Sequence, residues 1–385
     1  MINFLKSYKI FTVLLLVVLS GIFLYKFNTN HPVTYNIQNG KSSVKYEKAR
    51  VLSVKNNSMT KLKNSRNIYL GTQNAKLEII SGEHTGEIKN ITNYLSDTHN
   101  VYLKQNMKII VEISSSESNY SIIVYNYYRA PVQYAFIALF FISLCIIGGK
   151  KGMKSVLSLI FTFSLVIFLF IPMLYLGYSP TASSILITSI ITCMSLFLLN
   201  GFSPKSTCAI LGTICGVAIS GLLELVFGHF AHLNGLNLTQ VESLNMISNV
   251  SGMKVQELVT AGILISCLGA VMDLCISIAS SMQEIYLSNP SISKQELFKS
   301  GMTIGKDMMG TMANTLILAF TGASLSMIII IYSYNLDYNQ LINMDMVSIE
   351  IIQGLTGSLA IIFTVPIVSL ISAEIIPKSL FKHLS

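Results

Sequence analysis

Long apolar runs separated by short polar connections dominate this sequence. A helix needs about 20 apolar residues to cross the hydrocarbon core of a bilayer, and eight runs approach that length, at residues 8–27, 131–149, 155–177, 182–199, 208–227, 258–278, 314–334 and 351–372. The chain is 52% hydrophobic and 11% charged, whereas soluble domains carry about 25% charged residues. The sequence therefore predicts an α-helical polytopic membrane protein with about eight transmembrane helices.

The lysines indicate how these spans are oriented. With a cytoplasmic N-terminus, the inner connections and the tail hold most of the lysines, namely Lys150, Lys151, Lys154, Lys205, Lys294, Lys299, Lys306, Lys378 and Lys382. The outer connections after residue 131 hold only Lys254. Positive residues concentrate on the cytoplasmic side of membrane proteins, so we expect a multi-pass membrane protein with both termini inside and residues 28–130 outside. Scattered lysines of this kind do not suggest nucleic acid as a partner.

The organisation before residue 131 differs from the rest. Residues 1–27 resemble a signal peptide, but "VVLSGIFLYKFN" has no clear cleavage site, so we expect an uncleaved signal-anchor helix. Residues 28–130 hold short β-branched and aromatic runs separated by Gly, Asn and Ser, which predicts a small extracytoplasmic β-rich domain. His84 and His99 are single residues there, and we interpret both as surface residues. Residues 131–385 form the predicted seven-helix membrane domain.

The longest inner connection is predicted to hold a short cytoplasmic helix near residues 291–309. Ser293 and Glu296 have the spacing of a capping box. Leu297, Phe298 and Met302 then fall on one side. Two interpretations remain open, an amphipathic helix on the inner membrane surface or a helix packed on the other spans.

The sixth span carries a carboxylate near its centre. Asp273 belongs to a series of small and polar residues spaced by three or four, which are Gly262, Ser266, Gly269, Asp273, Ser277, Ser280 and Glu284. These seven residues fall within a stripe about 80° wide on a helix, and we expect the stripe to face other helices. Glycine and serine serve close helix packing. A carboxylate at span centre costs about 2.5–3.5 kcal/mol, so we interpret Asp273 as functional and Glu284 as lying near the inner surface.

A second group of candidates precedes the seventh span. Gly301, Gly305 and Gly310 weaken helix continuity, and Thr311 can cap a helix that begins near Met312. Such an interrupted helix would place Thr311 and Asn314 near a ligand, as transporters do. The alternative is an ordinary inner loop with Asp307 solvated.

The fifth span has small residues every four positions and then Glu224, which we expect near the outer end, where it can be solvated. His229 and His232 follow in "HFAH", and two imidazoles alone favour a surface pair over a metal site. The six cysteines all lie in apolar runs without metal-ligand spacing. We therefore expect free thiols, no metal and no cofactor.

The motifs "GAVMDLCISIASSMQEI" and "SGMTIGKDMMGTMANTLILAFTG" resemble the YibE/F-like family of bacterial membrane proteins. "GGKKGMKS" and "NGFSPKSTCAILGTICGV" support the resemblance, which extends over nearly the whole chain. It implies multi-span membrane character and carries no established activity or site residue.

Two functions are expected from these features. The first is a transporter or permease for a small solute or ion, coupled to a proton or cation. It would use a polar seam on spans six and seven formed by Asp273, Ser277, Ser280, Glu284, Thr311 and Asn314, with Asp307 and Glu224 as secondary candidates. The second is a non-transporting scaffold or assembly factor whose outer domain, residues 28–130, binds an envelope protein. No enzyme motif is found.

Overall fold

The structure is a computed structural model that describes residues 21–32, 43–62, 68–116, 119–233 and 241–384. It divides into two compact units, one comprising Met1–Ile37 and Leu144–Ser385 and the other Gln38–Ser143. The first unit is helical, and the second holds a β-sheet. The predicted first span, residues 8–27, falls mostly outside the described residues. Residues 21–30 are described and helical, and they are called α1.

The β-sheet has five antiparallel strands in the spatial order β3-β2-β1-β4-β5. The strands are β1 Ser43–Lys61, β2 Tyr69–Ile79, β3 Ile88–Leu95, β4 Lys108–Ser116 and β5 Asn119–Tyr127. In β2 the side chains of Gln73, Ala75, Leu77 and Ile79 are buried in alternation, as expected for a strand with one face on a core. The prediction of a β-rich domain after the first helix is confirmed.

Side chains join the two edges of this sheet. The Tyr120 hydroxyl, on β5, donates a hydrogen bond to the Glu87 carboxylate just before β3. The His84 ring stacks on the Tyr120 ring at 4.1 Å, and Lys89 Nζ lies 4.6 Å from the centre of the same ring. The hydroxyl of Tyr120, followed by the ring of His84, lowers the pKa of Glu87. His84, expected as a surface residue, is therefore a packing partner that helps the sheet curl towards a half-barrel.

Ten further helices form the rest of the described chain. They are α2 Ala130–Leu165, α3 Ile171–Tyr175, α4 Pro180–Asn200, α5 Pro204–Phe230, α6 Val241–Ser251, α7 Leu258–Ser288, α8 Lys294–Ala323, α9 Leu325–Tyr334, α10 Tyr338–Ile342 and α11 Asp345–Leu384. A π-helical turn, Val166–Phe170, joins α2 to α3, and a 3₁₀ turn, Val255–Glu257, precedes α7. Ser179, Ser203 and Ser293 cap α4, α5 and α8 with their side chains.

The stretch Ala130–Tyr175 is 46 residues long and is apolar enough to cross a membrane, and it is kinked inside. At about 1.5 Å per residue a straight helix of this length would measure about 69 Å, roughly twice the hydrocarbon thickness of a bilayer. Gly149 has non-helical backbone angles, φ 52° and ψ −130°. A Cβ at Gly152 would collide with the carbonyl oxygen of Leu144, so the two halves approach closely beside the bend. The predicted spans 131–149 and 155–177 lie on either side of it.

Helix α7 is central to the helical unit and contacts α4, α5, α8 and α11. Its buried side includes Cys267, Leu274 and Ile278, each with no exposed surface. Glycines of α5 allow close approach, since a Cβ at Gly216 would lie 2.6 Å from Val271 of α7 and would also overlap Thr364 of α11. This arrangement matches the small-residue packing of membrane helices.

Helix α8 corrects the prediction of a broken helix. It runs without interruption through Gly301, Gly305 and Gly310. The first two glycines serve close packing, because a Cβ at Gly301 would lie 2.5 Å from Met282 Sδ and one at Gly305 would overlap Val365. The break lies further along, at Ser324, where α8 and α9 meet with a bend of 65°. The capping box of Ser293 and Glu296 is confirmed.

The first turns of α8 pack on the other helices. Leu297 has no exposed surface and belongs to the same core as Met282 and Ile376. Of the two interpretations of this segment, the packed helix is therefore the one that the structure has.

Within the described residues, five helical stretches are long and apolar enough to cross a membrane, or six if the bent pair α8–α9 counts as one span. They correspond to Ala130–Tyr175, Pro180–Asn200, Pro204–Phe230, Val255–Ser288 and Asp345–Ser379. The α-helical membrane class is supported. The count of eight spans stays a prediction.

Candidate functional site

The stripe predicted on the sixth span, called the α7 stripe here, lies on the exposed side of α7. Gly262, Gly269, Asp273 and Glu284 are all exposed. Among the described atoms, nothing would lie within 4 Å of a Cβ added at Gly262 or Gly269. The expectation that this stripe faces the neighbouring helices of the chain is wrong for these four residues. Most helix contacts of α7 are made by its opposite side, which is richer in large apolar residues, while the half-buried Ser280 of the stripe contacts α5.

The C-terminal end of the α7 stripe, which is expected to lie near the cytoplasm, contacts the beginning of α5. Ser280 accepts a hydrogen bond from Lys205 Nζ at 3.1 Å. The backbone N–H of Lys205 also donates to Gln283 Oε1 at 3.3 Å. Ser277 and Ser280 are half-buried. Lys205 is thus a charged neighbour of the candidate site that the sequence pattern did not reveal, because it is remote along the chain.

The candidates on α8 are exposed as well. Asp307, Thr311 and Asn314 have exposed side chains. Thr311 Oγ1 donates to the Met308 carbonyl at 2.9 Å within the helix, so Thr311 is not a helix cap. Over the residues that the structure describes, no hydrogen bond or ion pair joins the α7 stripe to these three residues. The polar seam therefore consists of two outward-facing polar surfaces.

An exposed carboxylate halfway along a membrane-spanning helix has a physical consequence. Asp273 is the middle residue of α7. Facing lipid, it would cost about 2.5–3.5 kcal/mol on the insertion scale. Polar surroundings on that side of α7 would remove this cost, whether they are water or another polypeptide. The geometry thus favours a covering of the α7 stripe by something other than lipid.

Glu224 lies in a different environment. The spacing of four residues in α5 places it on the same inward face as Gly212, Gly216 and Ser220, all of which are buried. Its exposed fraction is 6%, which corrects the expectation that it is solvated. Its Oε2 atom is buried and has no hydrogen-bond partner among the described residues.

A cavity of about 540 Å³ lies beside Glu224, between the ends of α4, α5 and α7. We call it the Glu224 cavity; its lining comprises Thr181, Glu224, Leu225, Gly228, His229, Leu233, Gln256, Glu257, Val259 and Thr260. Glu257 accepts hydrogen bonds from the Ser179 hydroxyl and, at 3.4 Å, from the Thr181 backbone N–H.

The pair in "HFAH" does not share a helical face, because α5 ends at Phe230 and His232 follows with a φ of 52°. His229 lines the Glu224 cavity, whereas His232 is not part of its lining. No group of three possible metal ligands is found among the described residues.

A larger concavity of about 890 Å³ lies at the bend between α8 and α9. Its walls are mostly apolar and come from α8, α9, α10 and the first turns of α11. Thr321, Ser324 and Glu350 are among its few polar residues. The walls thus offer mainly hydrophobic contact.

Residues 136–378 match the family described as YibE/F-like protein, a stretch that covers more than half of the chain. The chain belongs to the YibE/F-like family. No curated protein and no solved structure matches it. Membership in this family, together with the apolar helices, fits an integral membrane protein.

The YibE/F-like region contains every candidate residue, including Asp273 and Glu224, while the β-sheet at residues 43–127 lies outside it. Four polar contributors to the Glu224 cavity were missed in the sequence analysis, namely Thr181, Gln256, Glu257 and Thr260. A signal for Glu257 existed, since it is an acidic residue directly before an apolar run. Nothing in the sequence indicated that it lies near Glu224.

Proposed function

We propose that this YibE/F-like protein is a transporter or permease for a small solute or ion, coupled to a proton or cation. The observation that carries the proposal is the exposed carboxylate of Asp273 at the midpoint of α7. Ionisable residues within membrane spans mark ion and substrate pathways more often than structural sites.

In this proposal the path runs along the polar surfaces of α7 and α8. Asp273 takes up the proton or cation. Ser277, Ser280, Thr311 and Asn314 supply neutral oxygens, which suit hard cations. Glu284 and Asp307 lie towards the ends of the path. Another copy or a partner protein completes the wall that the chain leaves open.

The proposal includes the orientation expected from the lysines. Both termini are cytoplasmic, the protein resides in the bacterial cytoplasmic membrane, and residues 28–130 are extracytoplasmic. Single cysteines introduced at Asp97 and Lys299 test this. We expect a membrane-impermeant thiol reagent to label the first in intact cells and the second only after lysis.

Ion flux through the reconstituted protein tests the transport proposal. Proteoliposomes would contain a pH-sensitive dye, and flux would be followed on addition of Na⁺, K⁺, Mg²⁺ or Ca²⁺ gradients. We expect the wild type to couple at least one gradient to proton movement and Asp273→Asn to lose that coupling. Asp337→Asn is the matched control, since Asp337 is an exposed aspartate outside the path. Unchanged flux in Asp273→Asn would refute this role.

A second candidate function is a scaffold without transport. The open space beside Gly262 and Gly269 favours it, since small residues let another helix approach the backbone closely. The partner would be an envelope protein bound through residues 28–130. Co-purification of a stoichiometric partner, lost on deletion of residues 28–130, together with absence of flux in the wild type, would select this function. No catalytic residue is assigned in either case.

A further inference from the structure

We propose that the Glu224 cavity binds a small organic cation that carries an N–H-bearing ammonium group and a short alkyl chain. This site is distinct from the path along α7 and α8 and does not depend on the proposed transport mechanism.

The first argument is the unpartnered carboxylate oxygen. Glu224 has an exposed fraction of 6% and lines the cavity, and its Oε2 has no partner in the described part of the chain. A buried carboxylate oxygen without a partner carries a desolvation cost, and the side-chain hydrogen bond between Glu224 and Thr260 satisfies only part of this carboxyl group. An ammonium group offsets this cost because it supplies both a positive charge and hydrogen-bond donors.

The second argument is the composition of the cavity walls. Glu257, which already accepts hydrogen bonds from Ser179 and Thr181, adds a second carboxylate. The other polar groups of the walls are those of Thr181, Gln256, Thr260 and His229. The absence of a three-ligand group among the described residues disfavours a dehydrated metal ion. The volume of about 540 Å³ lies within the usual range of small-molecule sites, about 300–1,000 Å³.

The third argument concerns the apolar part of the ligand. Leu225, Leu233 and Val259 also line the cavity. Apolar walls beside two carboxylates match a ligand with a cationic end and a hydrocarbon end. Gly228 keeps the space beside Glu224 open, because a Cβ there would lie 3.1 Å from Glu224 Oε1.

Thermal unfolding of the full-length protein in detergent tests this site, because a ligand that binds only the folded state raises its melting temperature. The probe is n-butylammonium chloride, titrated at fixed pH and ionic strength against NaCl. Tetramethylammonium chloride has the charge without an N–H donor, and n-butanol has the alkyl chain without the charge. We expect saturable stabilisation of the wild type by n-butylammonium and none by the other three.

Variants link the effect to the cavity. Glu224→Gln is expected to weaken the response at least about tenfold, a free-energy change of about 1.4 kcal/mol. Glu242→Gln is the matched control, because Glu242 is an exposed carboxylate on α6 outside the cavity lining, and it should respond as the wild type does. If Glu224→Gln does not fold, Gly228→Ala replaces it, since a methyl group beside Glu224 should weaken the response while the charge is kept.

Three outcomes would overturn the proposal. They are no response of the wild type to n-butylammonium, an equal response in the cavity variant, and an equal response to tetramethylammonium or to Na⁺. Each outcome is distinct from a failure of the transport proposal, because that proposal is tested by ion flux in the wild type and in Asp273→Asn.

Discussion

Gly305 of α8 lies so close to Val365 of α11 that a Cβ on the glycine would overlap Val365 Cγ1. The same added Cβ would lie 3.1 Å from Ile278 Cδ1 of α7. Three helices thus meet at a point where only a hydrogen atom fits. Gly301 and Gly305 therefore hold helices together in the fold, whereas the sequence suggested that they interrupt one.

We expect Gly305→Ala to lower the free energy of unfolding by about 1–3 kcal/mol, the usual cost of overpacking. Gly310→Ala is the matched control in the same helix, because a Cβ at Gly310 meets no described atom within 4 Å. Alanine favours a helix by up to about 1 kcal/mol over glycine, so this variant should be unchanged or slightly stabilised. Detergent melting curves of both variants provide the measurement. Equal destabilisation of the two would contradict the packing at Gly305.

The open side of α7 leads to a second prediction. Gly269→Leu should leave the melting temperature of the isolated chain nearly unchanged, because the space beside it is empty among the described atoms. Gly216→Leu should prevent folding, because its Cβ would overlap Thr364.

If the α7 stripe is covered by another polypeptide, Gly269→Leu should also shift the protein to a smaller assembly in size-exclusion chromatography with light scattering. A Gly269→Leu chain that melts like the wild type and keeps its assembly size would show that no helix docks there.

Glu224 should be a source of instability in the absence of ligand. We expect Glu224→Gln to raise the apparent melting temperature in NaCl alone by about 1 °C for each kcal/mol gained, because the amide removes the need to bury a charge. Binding sites commonly sacrifice stability in this way. Glu242→Gln should show no such rise. A lower melting temperature for Glu224→Gln would mean that the carboxylate has a stabilising structural role.

The edge contact of the β-sheet should be sensitive to acid. Tyr120 and His84 lower the pKa of Glu87, while burial and then the Glu87 carboxylate raise the pKa of the Tyr120 hydroxyl. A carboxylate whose folded pKa is depressed stabilises the folded state above its unfolded pKa, and this contribution is lost as the pH falls through the folded pKa.

Hydrogen exchange of the full-length protein, corrected for intrinsic rates, provides the test. Protection of β3 and β5 should be constant from pH 7 down to the unfolded pKa of 4.5 and then decline as the pH falls further. Glu87→Gln should have weaker protection at pH 7, and its protection should not show this decline at low pH. If protection declines in the same way in the wild type and in Glu87→Gln, Glu87 is not the cause of the decline.

Sequence patterns predicted what depends on local periodicity. Short β-branched and aromatic runs located the β-rich domain, and Ser293 with Glu296 located the start of α8. The membrane class followed from composition and run length. Each of these signals lies within a few residues of the feature it predicts.

Sequence patterns did not predict features that depend on which other helices surround a residue. The α7 stripe was correctly recognised as one face, but spacing does not tell whether a face of small residues points inward or outward. In α5 the same spacing points inward, so that Glu224 is buried. The Glu224 cavity joins residues from three helices, and no local signal connects Glu224 to Glu257 or Thr181.

The bend at Gly149 has a consequence for every later segment of the chain. The stretch Ala130–Tyr175 is 46 residues long, enough for two crossings of a bilayer if it is interrupted, and the kink at Gly149 is such an interruption. The number of crossings before a loop determines the side on which that loop emerges. If the kink at Gly149 separates two spans, this one glycine with a positive φ determines on which side of the membrane Lys205 emerges, and with it the sides of Lys254 and Lys299.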